Sequence, residues 1–172
     1  MMLINFVGTC SRTKTFTRDQ SKNLLQFCRS VGATLFAVNF VFAKHEASEK
    51  LMEEFYARLS RFSCGEKDLE NPCGDGFARQ HCWVLDEQSV ETILDETDGD
   101  LFAHDTLNLP EDWLFYVGDT ILLQIITHEQ EATLRISETQ YAEFKKLGIT
   151  HALGCPRWSG LPEDPVRASR PR

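Results

Sequence analysis

The sequence predicts an α+β (mixed α/β) fold in a single domain, with helices packed on a mostly antiparallel sheet of five or six strands. The first observation is a meander of three β-type runs between residues 114 and 136, which short turns separate. The second is a set of segments with helical spacing of apolar residues, several of which begin with an N-cap signal. The third is composition, since 172 residues with 42% apolar residues and twelve Phe can bury a sizeable core.

Strands and helices alternate at the start of the chain. Residues 3–7 form a short apolar run, which predicts a strand. Thr17 and Gln20 have the spacing of a capping box, in which each side chain bonds the other residue's backbone N–H. A helix is therefore expected over 18–31. Residues 34–42 are mostly strand-favouring and continuous, which predicts a central strand that is covered on both faces.

A second helix is expected over 45–62, because apolar residues recur there on one face. That apolar stripe consists of Leu51, Phe55, Leu59 and Phe62. Residues 63–80 contain several Gly and Pro residues and predict a long loop, followed by a short strand over 81–85. Asp86 can then cap a helix over 87–96.

The clearest β signal follows in three runs at 114–117, 120–127 and 131–136. Both faces of the middle run are largely apolar, so we expect helices or a partner to cover the second face of the sheet. Ser137 and Gln140 form another capping box and predict a last helix, which Gly148 ends.

Residues 1–154 are expected to form one globular domain, and the Pro- and Arg-rich residues 155–172 a poorly ordered tail. No apolar run approaches the ~20 residues that a membrane span requires. The apolar run at the N-terminus is too short for a signal peptide and has no positive residue before it. We therefore expect a cytoplasmic protein with no membrane contact, no cofactor and reduced thiols. Its cysteines are Cys10, Cys28, Cys64, Cys73, Cys82 and Cys155.

Charge is distributed unevenly along the chain. Between Arg79 and Arg135 there is no lysine or arginine, yet there are thirteen carboxylates. The remaining 18 cations and 13 carboxylates give +5, so the net charge of −8 arises in this stretch. The negative electrostatic potential of such a stretch repels nucleic acid and favours association with a basic protein. The alternative is a solvated face that only improves solubility.

The acidic residues at the end of the predicted helix 87–96 oppose the helix dipole, so local stability does not explain them. We therefore predict a partner-binding surface between about residue 95 and residue 113. Its carboxylates and two aromatic anchors are Asp95, Asp98, Asp100, Asp105, Glu111, Asp112, Phe102 and Trp113.

Several other constellations could carry chemistry. The zinc candidates are Cys64, Cys73, His81 and Cys82, but their spacing does not match a structural zinc site, and adjacent strand residues point to opposite faces. Residues 95–100 have the carboxylate density of a calcium loop without the EF-hand pattern. No hydrolase, nucleotide-binding or metalloprotease motif occurs, so we expect a protein that is not an enzyme.

The meander and capped helix over 113–148, in an acidic chain without a secretion signal, resemble the small cytosolic immunity proteins that bacteria make against toxins. The resemblance implies an inhibitor that places carboxylates and aromatic side chains over the active site of a basic toxin. No residues carry over from it, because it includes no defining motif.

Two other functions fit the sequence. A small metal-dependent hydrolase would use His104, Asp105 and His128 and would need a concave site with converging polar groups. An adaptor or chaperone for a secreted effector would need a larger exposed apolar patch.

Overall fold

Eight antiparallel strands and four helices make up the part of the chain that the computed structural model describes, residues 2–7, 16–39, 46–72, 76–103, 112–149 and 157–159. The strands are β1 (Met2–Val7), β2 (Leu35–Asn39), β3 (Ser63–Glu70), β4 (Phe77–Val84), β5 (Asp112–Val117), β6 (Thr120–Ile126), β7 (Glu131–Ile136) and β8 (Arg157–Ser159). The helices are α1 (Arg18–Ser30), α2 (Glu46–Leu59), α3 (Glu87–Glu96) and α4 (Glu138–Lys146). All strands belong to one sheet in the order β3-β4-β2-β5-β6-β7-β1-β8.

The predicted α+β class is confirmed, and every described strand pair is antiparallel. The sheet has more strands than the five or six expected, because β3 lies in the predicted loop 63–80 and β8 in the predicted tail. β3 has only Leu69 fully buried, so no apolar alternation reveals it. Its pairing with β4 makes it a strand. The rest of 155–172 lies outside the described residues.

The helices begin where the sequence predicts. Thr17 caps α1 and Ser137 caps α4, each in a capping box with the glutamine three residues later. Asp86 caps α3 in the same way, with Ser89 as the reciprocal partner. The second predicted helix, 45–62, divides into α2 and a 3-10 turn at Ser60–Phe62.

The helices cover one face of the sheet. The largest buried side chains there are aromatic and lie near one another at the centre of the sheet. Phe36 of β2 stacks on Trp83 of β4 with 5.5 Å between ring centroids. Phe55 of α2 meets Trp113 of β5 edge-on at 6.0 Å. These contacts form the main hydrophobic core, to which α1, α3 and α4 also contribute.

The second face of the sheet also carries buried residues, as its apolar pattern predicts. This cluster consists of Ala37, Leu69, Cys82, Leu114, Tyr116 and Ile121. The end of β3 contributes to its cover. In a flat sheet β3 and β6 would lie about 19 Å apart, since four spacings of ~4.8 Å separate them. Instead the Glu70 N–H donates to the Asp119 carbonyl oxygen at 2.9 Å, so the sheet coils and brings β3 to the β5–β6 hairpin.

Among the described helices, none combines the length and the apolar character that crossing a membrane requires.

Candidate functional site

Cations from outside the lysine-free stretch pair with the carboxylates of α3. α1 packs beside α3, and α2 reaches the far end of that helix. The ion pairs are Arg29–Glu87 at 2.5 Å, Lys22–Glu91 at 2.6 Å, Arg18–Glu91 at 3.1 Å, Arg18–Asp95 at 2.8 Å and Arg58–Glu96 at 2.6 Å. The charge imbalance along the sequence is therefore partly compensated in the fold.

These pairs explain the acidic end of α3, which opposes the helix dipole. Asp95 and Glu96 bind Arg18 and Arg58, so their charges join α3 to α1 and α2. The pKa of Glu91 is lowered by the hydrogen bonds that it accepts from Lys22 and Arg18. Asp95 is still 71% exposed, but its charge is compensated by the Arg18 guanidinium.

The turn after α3 directs the chain away from this ion-pair network. Asp98 has a left-handed φ of 49° and an exposed side chain, a conformation that aspartate tolerates better than most residues. Gly99 follows with a φ of 81°, and a Cβ at this position would lie 2.7 Å from the Cβ of Arg18. The close approach of α1 thus requires glycine and leaves Asp98 at the surface.

The segment 100–102 is fixed to the core. An Asp100 carboxylate oxygen accepts from the Phe102 N–H at 2.9 Å, and burial raises the pKa of this carboxyl. The Phe102 ring packs on Phe16 at 5.1 Å and is only 6% exposed. The prediction that Phe102 is a surface anchor is therefore wrong, because its ring fills the core.

The turn between β6 and β7 lies against this segment. Gln130 has a left-handed φ of 56°, and its side-chain amide donates to the Phe102 carbonyl oxygen at 2.6 Å. The same amide donates to the Thr127 carbonyl oxygen at 2.6 Å. The contact holds Gln130, the residue between the exposed Glu129 and Glu131, against the backbone of Phe102.

Asp112 and Trp113 at the start of β5 also lie in the interior. Trp113 is 1% exposed and packs in the main core. Asp112 is 6% exposed and lies opposite Asn39 in the strand register, and its Oδ1 has no hydrogen-bond partner. Burial raises the pKa of Asp112. Neither side chain is a surface contact, which corrects the prediction for both.

The carboxylates that remain, which we name the acidic end, are the exposed Asp98, Glu129 and Glu131 and the partly buried Asp100. Within the described ranges none of the four pairs with a lysine or arginine, and Glu129 meets only His128, at 3.7 Å. Asp105 and Glu111 lie outside the described residues, in the segment that joins Ala103 to Asp112.

The sequence could have drawn attention to Glu129 and Glu131, because both belong to the lysine-free stretch. Nothing in the sequence shows that Gln130 bonds to the Phe102 backbone, about thirty residues earlier in the chain. The sequence alone therefore predicts the candidate site between about residues 95 and 113 and does not include the carboxylates of the β6–β7 turn.

The zinc candidates are divided between the two faces of the sheet. Cys64 and Cys82 meet on the second face, with 2.7 Å between their sulfur atoms. The His81 ring lies on the helix side, stacked on Tyr56 at 5.7 Å. Cys73 lies outside the described residues. In the parts of the chain with described positions, no group of three or more potential ligand side chains could hold a metal ion.

The histidine set predicted for a hydrolase cannot be assembled from the described residues, because His104 and Asp105 lie outside them. His128 is exposed in the β6–β7 turn. A different hydroxyl–imidazole pair is present, with Ser63 Oγ 2.9 Å from His81 Nε2. Among the described side chains no carboxylate bonds the other ring nitrogen of His81, so the pair lacks the orienting group of a catalytic triad.

Comparisons with protein-family models, with curated proteins and with solved structures found no match.

Proposed function

We propose that this protein is an acidic cytoplasmic protein-binding module that binds a basic partner protein through its acidic end. The observation that supports the proposal is a contrast between two groups of carboxylates. Those of α3 are matched by cations from α1 and α2, whereas Asp98, Asp100, Glu129 and Glu131 have no described lysine or arginine partner.

Uncompensated carboxylates on one surface attract a protein of opposite charge. They speed association and select against acidic partners, and this effect decreases as salt screens the charges. The same negative potential disfavours binding to nucleic acid, because the phosphate backbone binds cationic surfaces. The net charge of −8 acts in the same direction.

The specific form of the proposal is an immunity or inhibitor protein for a basic toxin or effector. A basic active site that binds a phosphate-bearing substrate would accept the carboxylates of the acidic end in place of the phosphates. The scaffold suits such a role, because the Gln130 side chain fixes the β6–β7 turn against the backbone at Phe102. The two halves of the surface are therefore held together before a partner arrives, which lowers the entropy cost of binding.

Charge reversal at the acidic end tests this function. The full chain with Glu129→Lys and Glu131→Lys is compared with the unchanged protein as bait in a lysate of the native host, at low and at moderate salt. We expect a basic protein to be captured by the unchanged chain and released by salt. Once that protein is purified, its association rate should fall on the order of tenfold with the reversed chain.

The matched control is the double change Glu53→Lys and Glu138→Lys, which alters net charge equally on exposed positions of α2 and α4. Asp98→Asn is a milder test on the other half of the surface, since asparagine also tolerates a left-handed φ. If both double variants reduce capture equally, only net charge matters and the acidic end is not the binding surface. A partner whose binding ignores salt and all these changes would contradict the proposal.

A further inference from the structure

Two thiols meet across the hairpin at the edge of the sheet, away from the acidic end. Cys64 of β3 and Cys82 of β4 are free cysteines whose sulfur atoms lie 2.7 Å apart. A disulfide bond requires ~2.05 Å, so a small side-chain rotation is enough to bring the two atoms to bonding distance. β3 pairs with β4 from Ser63 to Glu70, with one irregularity at Cys64, and this pairing holds the two sulfur atoms close in the folded protein.

A β-bulge brings the two side chains together. The register between β3 and β4 shifts between Ser63 and Gly65, so Cys64 is the extra residue and lies beside Cys82 on the second face of the sheet. Gly65, which follows the extra residue, has a φ of 80°, in the left-handed region that favours glycine. In the register of residues 65–70, Cys64 would lie opposite Trp83, whereas the bulge places it beside Cys82.

The two thiols differ in accessibility, which gives them different roles. Cys82 is fully buried, and burial, followed by its contact with Cys64, raises the pKa of its thiol to about 12. Cys64 is only partly buried, so it is the more accessible of the two residues. Cys28 of α1 is buried in the main core, and no second thiol is described beside it.

We propose that Cys64 and Cys82 form a reversible redox site that exchanges with low-molecular-weight disulfides of the glutathione class. The Cys64 thiolate attacks one sulfur of the small disulfide, forms a mixed disulfide and releases one small thiolate. The Cys82 sulfur then attacks the Cys64 sulfur, the second small thiolate leaves, and it takes up the proton that Cys82 loses. Two protein thiols are oxidised, and one small disulfide is reduced to two thiols.

The bond links β3 to β4 at the base of the edge hairpin. Among the described strands β3 is the last on its side of the sheet, and it pairs along its length with β4. Its far end carries Glu70, which contacts the β5–β6 hairpin. Oxidation should therefore slow the opening of β3 and leave β7 and α4 unaffected. This inference does not depend on the proposed partner.

The test equilibrates the full chain with mixtures of reduced and oxidised glutathione, quenches the exchange with acid, and then blocks the free thiols with a maleimide in denaturant, so that the buried Cys28 and Cys82 are also reached. As the oxidised share increases, we expect two thiols per chain to become unreactive together. A peptide map without reduction should contain one linked pair joining Cys64 to Cys82, and excess reduced glutathione should reverse the change. Hydrogen exchange should become slower at β3 amides in the oxidised protein.

Four variants make the test specific. Cys82→Ala should stop at a stable glutathione adduct on Cys64, and Cys64→Ser should leave Cys82 unmodified in the folded protein. Cys28→Ser is the matched control and should leave the linked pair unchanged. Gly65→Ala keeps both thiols but strains the bulge, so it should slow closure after the mixed disulfide has formed. The proposal is overturned if Cys64 and Cys82 remain blockable at all ratios, or if Cys64 links instead to Cys10, Cys73 or Cys155.

Discussion

Asp112 is a carboxylate that the fold buries without full compensation. One oxygen has no hydrogen-bond partner, and burial raises the pKa of the group above its unfolded value of ~3.9. The stability that this group contributes is therefore complete below the unfolded pKa and lost as pH rises through the folded pKa. At neutral pH Asp112 therefore lowers the free energy of unfolding, because the fold must either bury a charged carboxylate or bind a proton to neutralise it.

Asp112→Asn removes that cost and keeps the shape of the side chain. We expect the free energy of unfolding at neutral pH to rise by about 1 kcal/mol, because a neutral amide is less costly to bury than a carboxylate. The gain should disappear near pH 3, where Asp112 is protonated in both states. Urea unfolding at the two pH values checks this, with exposed Asp119→Asn as the control. A loss of stability at neutral pH would show that Asp112 has a compensating partner.

Replacing Gly99 should destabilise the protein through both backbone strain and a steric overlap. Gly118 shares the backbone strain but not the overlap, so it separates the two effects. Gly99 and Gly118 both have positive φ, but only at Gly99 would an added Cβ meet another atom, the Cβ of Arg18. Gly118→Ala should therefore cost about 1 kcal/mol from backbone strain alone, and Gly99→Ala about 3 kcal/mol from strain and overlap. Thermal unfolding measures both. Equal costs would mean that α1 moves aside freely.

Among the elements, α1 and α3 are joined by charge as much as by packing. Glu91 lies between Lys22 and Arg18, so Glu91→Lys places three cations together and should destabilise the protein more than Glu138→Lys on α4 does. The penalty should shrink with added salt, since both partners are exposed. Because the pKa of Glu91 is lowered, its contribution is present above the unfolded pKa and lost as pH falls through the folded one. Urea unfolding at two salt concentrations checks this, and a penalty that salt leaves unchanged would contradict it.

The elements that the sequence predicts are those with a local signal. Capping boxes at Thr17 and Ser137 and the turn at residues 118–119 act within a few residues, and those helices and strands begin or end close to the predicted positions. β3 has no such signal, because its side chains are mostly polar and its pairing with β4 defines it. The bulge at Gly65 can be identified only when the pairing of β3 with β4 is known.

At the scale of the whole molecule, the sequence predicts only the part of the candidate site that has a local signal. Asp98 and Asp100 stand out by their position after a helix, and the structure leaves both without a described cationic partner. Asp95 differs because it pairs with Arg18, which lies 77 residues earlier in the sequence. No local sequence pattern predicts a contact over that separation. The prediction that Phe102 and Trp113 are surface anchors is wrong because an aromatic residue in an acidic segment can equally well pack in the core.

The coiled shape of the sheet depends on one partly buried ion pair. The Glu70 carboxylate accepts from the Ile121 N–H at 2.7 Å and from Arg135 at 2.5 Å, which joins β3 to β6 and β7. Burial pulls the pKa of Glu70 upward, but the bonds from Arg135 and Ile121 outweigh it, so the pKa is lowered. The stability from Glu70 is thus present above its unfolded pKa of ~4.3 and lost as pH falls through the folded value.

Glu70→Ala should cost about 2 kcal/mol, because it leaves the Arg135 guanidinium and the Ile121 N–H without their acceptor. Glu70→Gln retains one acceptor oxygen, so it can serve only one of the two donors, which bind different carboxylate oxygens, and it should cost less than Glu70→Ala. Adding Arg135→Ala to Glu70→Ala should cost less than the sum of the single changes, since the pair acts as a unit. Glu66→Ala is the control, because Glu66 lies on the same strand as Glu70 and its ion pair with Arg79 of β4 is exposed. Urea unfolding gives the energies, and hydrogen exchange at the Ile121 amide reports directly on closure. If that amide keeps its protection in Glu70→Ala, another contact holds β3 against β6.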